Sequence, residues 1–178
     1  MPLNIEWKTV VHFETYSQGY KETAMPQYSI LVLNGPNLAH LGHRQPEIYG
    51  TRGMDDLPAM LAEVLGARMD DLAISTRQAN GEGQLIDILE QAKADGVDGI
   101  AFNAGAYTHT SLALADCLAW IKIPCIEVHL SNVLARTDEP LRQISRIGKQ
   151  CIGEIAGFGL DSYVLAVLAL VRHLDGRK

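Results

Sequence analysis

Apolar residues in this chain gather in short runs at 28–33, 71–76, 97–102, 125–130 and 152–156. Runs of that length between turn residues mark strands buried on both faces. The stretches 55–69, 82–94, 109–121 and 161–174 instead carry their apolar residues at helical spacing. In the first of these, Asp55 can cap the helix and Pro58 falls in the opening turn, where a missing N–H costs little. In the second, Leu85, Ile86, Leu89 and Ala92 share one side, and Gly96 stands near the end. Strands this apolar, alternating with helices, predict an α/β fold: a five-stranded parallel sheet with helices on both faces, a three-layer sandwich. Right-handed crossovers make that sheet doubly wound.

Two segments break the rhythm. Within residues 1–27, Ile5, Trp7, Thr9, Val11 and Phe13 alternate with Glu6, Lys8, His12 and Glu14, as in a strand with one apolar face. An added edge strand, an oligomer contact and a poorly ordered extension all fit. The chain therefore divides into an extension, 1–27, and a domain, 28–178. Residues 131–150 form a polar connection far longer than the usual ~2–6 residues, and long loops at such a sheet edge tend to carry function.

Composition narrows the field only a little. The 178 residues are 47% apolar and 20% charged, with a formal net charge of −6. One domain with a sizeable core fits that length. The acidic balance argues against a broad nucleic-acid surface and leaves room for a local basic pocket. Cys117, Cys125 and Cys151 lie in or beside apolar runs and form no CxxC pair, which reads as free thiols in a reducing compartment. No apolar run approaches the ~20 residues of a membrane span. The charged N-terminus lacks the apolar segment of a signal peptide, so the expected location is the cytoplasm, with no membrane partner.

In a parallel sheet the C-terminal strand ends share one rim, where open α/β sheets bind ligands. Here the first strand is followed by Asn34 and Asn37, and the second by Arg77, Gln78 and Asn80. The third is followed by Asn103, Gly105 and His109, and the fourth gives Glu127, His129, Ser131, Asn132 and Arg136. Amides, imidazoles and hydroxyls at four successive strand ends predict one small-molecule pocket. Glu127 and His129, two apart on a strand, can share a face as a carboxylate orienting a proton-donating imidazole. His109 could instead cap the third helix with Thr108 and Thr110. Arg44 and Tyr49 place a cation near a phenol, a pair suited to proton abstraction from an oxygen-rich molecule. His40 and His43 have no further residues at ligand spacing, and neither HExxH nor a Cys cluster occurs, so no metal is expected. Without GxGxxG, a Walker lysine or GxSxG, neither a nucleotide cofactor nor a serine-hydrolase elbow is expected.

Asn34-Gly-Pro-Asn37-Leu, followed by Leu41-Gly-His-Arg44-Gln-Pro46-Glu-Ile-Tyr49-Gly50, resembles the opening signature of type II 3-dehydroquinate dehydratases. The resemblance continues through Arg77-Gln78-Ala-Asn80-Gly-Glu82-Gly83 and Asn103-Ala-Gly105-Ala106-Tyr-Thr108-His109-Thr110-Ser111. It runs on through Ile126-Glu127-Val-His129-Leu130-Ser131-Asn132 and Gly157-Phe158-Gly159, covering about residues 28–172. It implies a flavodoxin-like domain, a dehydration needing no metal or organic cofactor, and assembly as a dodecamer of four trimers. By the same resemblance Tyr49 is the general base, as a phenolate with Arg44 beside it on a lid, and Asn37 holds a water on the enolate. His129 protonates the departing hydroxyl with Glu127 behind it. Asn103, Leu130 and Ser131 hold the substrate carboxylate beside Gly105 and Ala106, His109 and Arg142 meet ring hydroxyls, and Asp116 arrives from a neighbouring subunit. The chain departs from the family pattern at Ala39, Gly81, Trp120 and Leu134, and it is two residues longer through Thr137-Asp138-Glu139-Pro140. A related cyclic polyol acid as substrate, or a paralogue that only binds one, are the alternatives.

Overall fold

A computed structural model describes residues 26–39, 41, 52–135, 137 and 139–177. The expectations for residues 1–25 and for Arg44, Tyr49 and Arg136 lie outside the described residues. Five parallel strands form one sheet: β1 (Tyr28–Asn34), β2 (Leu72–Gln78), β3 (Gly99–Asn103), β4 (Cys125–His129) and β5 (Gly153–Ala156). Their order across the sheet is β2-β1-β3-β4-β5. Every pairing is parallel, with Ile30 opposite Leu72's strand at Ile74 and opposite Gly99 on the other side. The chain steps outward from β1 to β2 and then returns across β1 to β3. The strand order therefore reverses between β1 and β3, and a crevice opens there at the C-terminal ends.

Alternation along the strands sorts the core into two layers. Ile30, Val32, Ala101, Ile126 and Val128 pack with Leu57, Leu61, Tyr163, Val167 and Leu170. Leu31, Leu33, Ile100, Phe102 and Cys125 pack with Leu85, Leu89, Leu114, Leu118 and Ile121. The first layer carries α1 (Leu57–Leu65) and α5 (Asp161–Asp175), the second α2 (Glu82–Ala94) and α4 (Leu112–Ile121). A single helical turn, α3 (Tyr107–Thr110), follows β3. Ile88, more than Ile86, completes the buried stripe of α2 with Leu85, Leu89 and Ala92.

Two predicted helices are interrupted. The expected 55–69 helix begins as a 3-10 turn at Met54–Asp56, and α1 stops at Gly66, whose φ of 53° leaves the helical region. Residues Gly66–Asp71 continue as 3-10 helix. Asp55 does not cap α1; Asp56 accepts from the Gly53 N–H at 2.9 Å. The expected 109–121 helix breaks at Ser111, an extended residue whose Oγ accepts from Leu114 N–H at 2.9 Å and caps α4. That break frees His109 from any capping role and turns it toward the strand rim. The long 131–150 connection is built of 3-10 turns at Val133–Ala135, Pro140–Gln143 and Gly148–Gln150. Among the described residues no helix is long and apolar enough to cross a membrane.

Candidate active site

A cleft of about 270 Å³ opens at the switch point. Pro36, Asn37, Leu38 and Leu41 wall it after β1, and Asn103, Gly105, Ala106 and His109 wall it after β3. His129, Leu130, Ser131 and Val133 come from the end of β4, and Arg142 from the long connection. Nine of the predicted site residues meet here: Asn37, Asn103, Gly105, Ala106, His109, His129, Leu130, Ser131 and Arg142. None of the described lining residues is acidic, and Arg142 supplies a cation, so the cleft suits an anionic, oxygen-rich ligand.

The wall after β1 is a tight turn held from below. Gly35 N–H donates to Asn103 O at 2.7 Å, which ties this turn to the end of β3. Gln78 Nε2 donates to Gly35 O at 3.1 Å, and Asn80 Oδ1 accepts from Asn37 N–H at 3.2 Å. Asn37 sits at φ 67°, a left-handed conformation that asparagine tolerates better than most residues. Gln78 and Asn80 thus brace the turn and are not among the cleft's lining residues, unlike the role suggested by their place after β2.

Asn103 reaches both ways. Its Oδ1 accepts from Gly105 N–H at 3.1 Å, and its Nδ2 donates to Tyr163 Oη at 3.0 Å. The Gly105 N–H is therefore committed within the turn. A carboxamide has two N–H donors, so Asn103 keeps a second one for a ligand. Tyr163, fully buried in α5, donates onward to Asn34 Oδ1. Nothing local in the sequence marks Tyr163 for this role, because its partners lie 129 and 60 residues away. Burial pushes the Tyr163 phenol well above its ordinary range, while the Asn103 bond pulls the other way. The folded state holds that proton where an unfolded phenol releases it near pH ~10, so this contribution to stability is present below ~10 and fades above it. Tyr163→Phe should lower unfolding stability by about 2–4 kcal/mol at neutral pH, because two buried amides lose a partner. It should also flatten the alkaline loss of stability. Urea titrations of both proteins at neutral and alkaline pH check both effects.

Glu127 and His129 lie together on β4. Glu127 is fully buried, and its Oε1 lies 2.7 Å from His129 Nε2. Its Oε2 accepts from Ser145 Oγ at 2.7 Å, and Ser145 Oγ accepts from Gly148 N–H at 2.8 Å. Both carboxylate oxygens are thus engaged, and the imidazole is oriented with a countercharge at its back. Ser145, in the long connection, was not apparent in the sequence as a site residue; its signal emerges only once the loop folds over β4. The His109 ring stacks near that of His129, with centroids 6.2 Å apart and planes inclined by 11°. His109 Nδ1 lies 2.9 Å from Ile144 O, and a carbonyl only accepts, so the proton is on Nδ1. In the neutral ring that leaves Nε2 as an acceptor for a hydroxyl.

Asp116 is exposed on α4 and is not among the residues lining this chain's cleft. Glu154 on β5 is opposite Glu127, and Glu127, His129 and Glu154 could each offer one ligand atom within 4.8 Å of the others. That grouping did not stand out in the sequence, where Glu154 falls in an ordinary strand.

The sequence family defined as Dehydroquinase class II matches residues 28–171, the whole span that builds this cleft. The chain belongs to that family. A 3-dehydroquinate dehydratase of Gloeothece citriformis is 49% identical over 150 residues, covering 84% of this chain and 95% of that protein. One from Rhodopseudomonas palustris strain TIE-1 is 48% identical over 146 residues, covering 82% of this chain and 94% of that protein. Among solved structures, the type II dehydroquinase of Butyrivibrio crossotus superposes with a TM-score of 0.73 at 42% identity, covering 81% of this chain and 97% of that one.

Proposed function

We propose that the chain dehydrates 3-dehydroquinate to 3-dehydroshikimate through an enolate, as a hydro-lyase that needs no cofactor. The observation that carries this reading is the His129–Glu127–Ser145 chain beside a cleft whose described lining has no acidic residue and includes Arg142 and His109. In this reading Tyr49, as a phenolate, removes a proton from the carbon next to the substrate ketone. A free phenol has a pKa near ~10, and each unit of depression recovers about 1.4 kcal/mol of the cost of deprotonation at neutral pH. The Arg44 guanidinium is the assigned means of that depression. Asn37 holds a water where negative charge develops on the enolate oxygen. His129 then protonates the hydroxyl as it leaves, and Glu127 faces the resulting loss of charge from a fixed position.

Asn103, through its remaining N–H, and the backbone at Leu130 and Ser131 bind the substrate carboxylate. His109 and Arg142 take the ring hydroxyls, with Gly105 and Ala106 forming the adjoining wall. A neighbouring subunit's copy of Asp116 closes the pocket in a dodecamer of four trimers, and the enzyme works in the cytoplasm. The test is incubation of purified protein with 3-dehydroquinate or with quinate, followed by absorbance of the conjugated enone. The ketone should react. Quinate has no ketone to form an enolate and should not. Inertness of both ketone and alcohol with folded protein would overturn the assignment.

A further inference from the structure

We propose that Cys125 and Cys151 are an oxidisable pair that closes to a disulfide and thereby acts on the Glu127–His129 pair. All three cysteines are free thiols; Cys125 and Cys151 belong to the same core layer, and Cys151 Sγ lies 3.6 Å from Ile147 O. Ile152 N–H donates to Cys125 O at 2.8 Å, which holds the two segments at sheet spacing, ~4.8 Å and within reach of a disulfide. Cys125 is fully buried at the start of β4, and Cys151 is half-buried just before β5. A surface hollow of about 430 Å³ is lined by Gln150 and Ile152, the chain neighbours of Cys151, together with Lys122 and Arg177. Cys151 is itself partly exposed, so a small oxidant can reach its sulfur.

The two thiols differ in the way a two-step oxidation requires. The neighbouring Cys151 thiol, with burial next in weight, holds the Cys125 proton on. Cys151, half-buried where Cys125 is fully buried, is the thiol that an oxidant meets first. With hydrogen peroxide, the Cys151 thiolate attacks one oxygen, the O–O bond breaks, and hydroxide leaves, giving a sulfenic acid. Cys125 sulfur then attacks Cys151 sulfur, the S–O bond breaks, and the departing hydroxide takes the Cys125 proton as water. The protein loses two protons and two electrons, and one peroxide becomes two waters. Cys117 stays out of this reaction, because burial, reinforced by Glu90, pushes its thiol up to about 11.

The link to the cleft runs through the loop. Cys151 N–H donates to Gly148 O at 3.2 Å, and Gly148 N–H donates to Ser145 Oγ, which donates to Glu127. Gly148 lies so close that a side chain there would meet Glu127 Oε2 at 3.2 Å. Drawing Cys151 onto Cys125 moves this turn and loosens Ser145 from Glu127. Oxidation therefore lowers turnover.

The experiment treats wild-type and Cys151→Ser proteins with hydrogen peroxide and reads intact mass, peptide linkage and turnover. Only the activity arm rests on the proposed dehydratase reading; the mass arm stands apart from it. The expected result is loss of two hydrogens, a Cys125–Cys151 linked peptide, and a fall in kcat that dithiothreitol reverses, all absent in Cys151→Ser. Oxygen addition to Cys151 without a linked peptide would overturn the pair. A linked peptide with unchanged kcat, in protein that turns over when reduced, would overturn its action on Glu127.

Discussion

His129→Asn should lower kcat by about 10²–10⁴-fold and leave KM within a few fold, the behaviour of a group that matters in the transition state. The imidazole borders the cleft and is only 6% exposed, so bulk water would be a poor substitute for it as the proposed proton donor. Asparagine keeps an N–H that can face Glu127, which avoids leaving a buried carboxylate with no partner on that side. Steady-state kinetics with a thermal melt separate lost acid catalysis from lost fold. A variant retaining more than about a tenth of wild-type kcat would remove His129 from the acid role.

Gly35→Ala should be the most damaging single-atom-scale change in the described structure. A Cβ at that position would lie 2.5 Å from Ala104 O and 2.6 Å from Ala104 C, both backbone atoms that cannot swing aside. Gly35 is also tied to Asn103 O at 2.7 Å, so relief by separation breaks the seam between β1 and β3. Overpacking of this kind costs about 1–3 kcal/mol or more. The same displacement moves Asn37 and Asn103 relative to each other, and a misplacement of ~1 Å in a positioning group can cost on the order of 10²-fold in rate. Urea denaturation and kcat/KM should therefore fall together. Wild-type values for both would contradict the close approach.

Much of this architecture is legible in sequence because the information is local. The β3 run Gly99–Asn103 and the β4 run Cys125–His129 are buried at every position, and that apolarity alone implies helices on both faces. The convergence of Asn37, Asn103, His109 and His129 follows from the shared direction of parallel strands. Long-range bonds are less accessible. Tyr163 joining Asn34 to Asn103, and Ser145 closing onto Glu127, pair residues whose neighbours in sequence give no sign of them. The breaks at Gly66 and Ser111 were missed for a different reason: the apolar spacing continues through them, while the backbone turns. Counting Gln78 and Asn80 among the strand-end groups of one pocket follows from the parallel sheet, but β2 lies at the sheet edge and these two side chains hold the adjacent turn. Cys125 and Cys151 look unrelated in sequence and join one core layer only when β5 aligns with β4.

The central claim is enolate dehydration with Tyr49 as base, and it is tested most directly by comparing 3-dehydroquinate turnover by wild type and Tyr49→Phe. Phenylalanine keeps the ring and removes the one oxygen that accepts the proton. The account predicts enone formation by the wild type and near-complete loss in a folded Tyr49→Phe protein. Comparable turnover by the two, or none by a folded wild type, would contradict it.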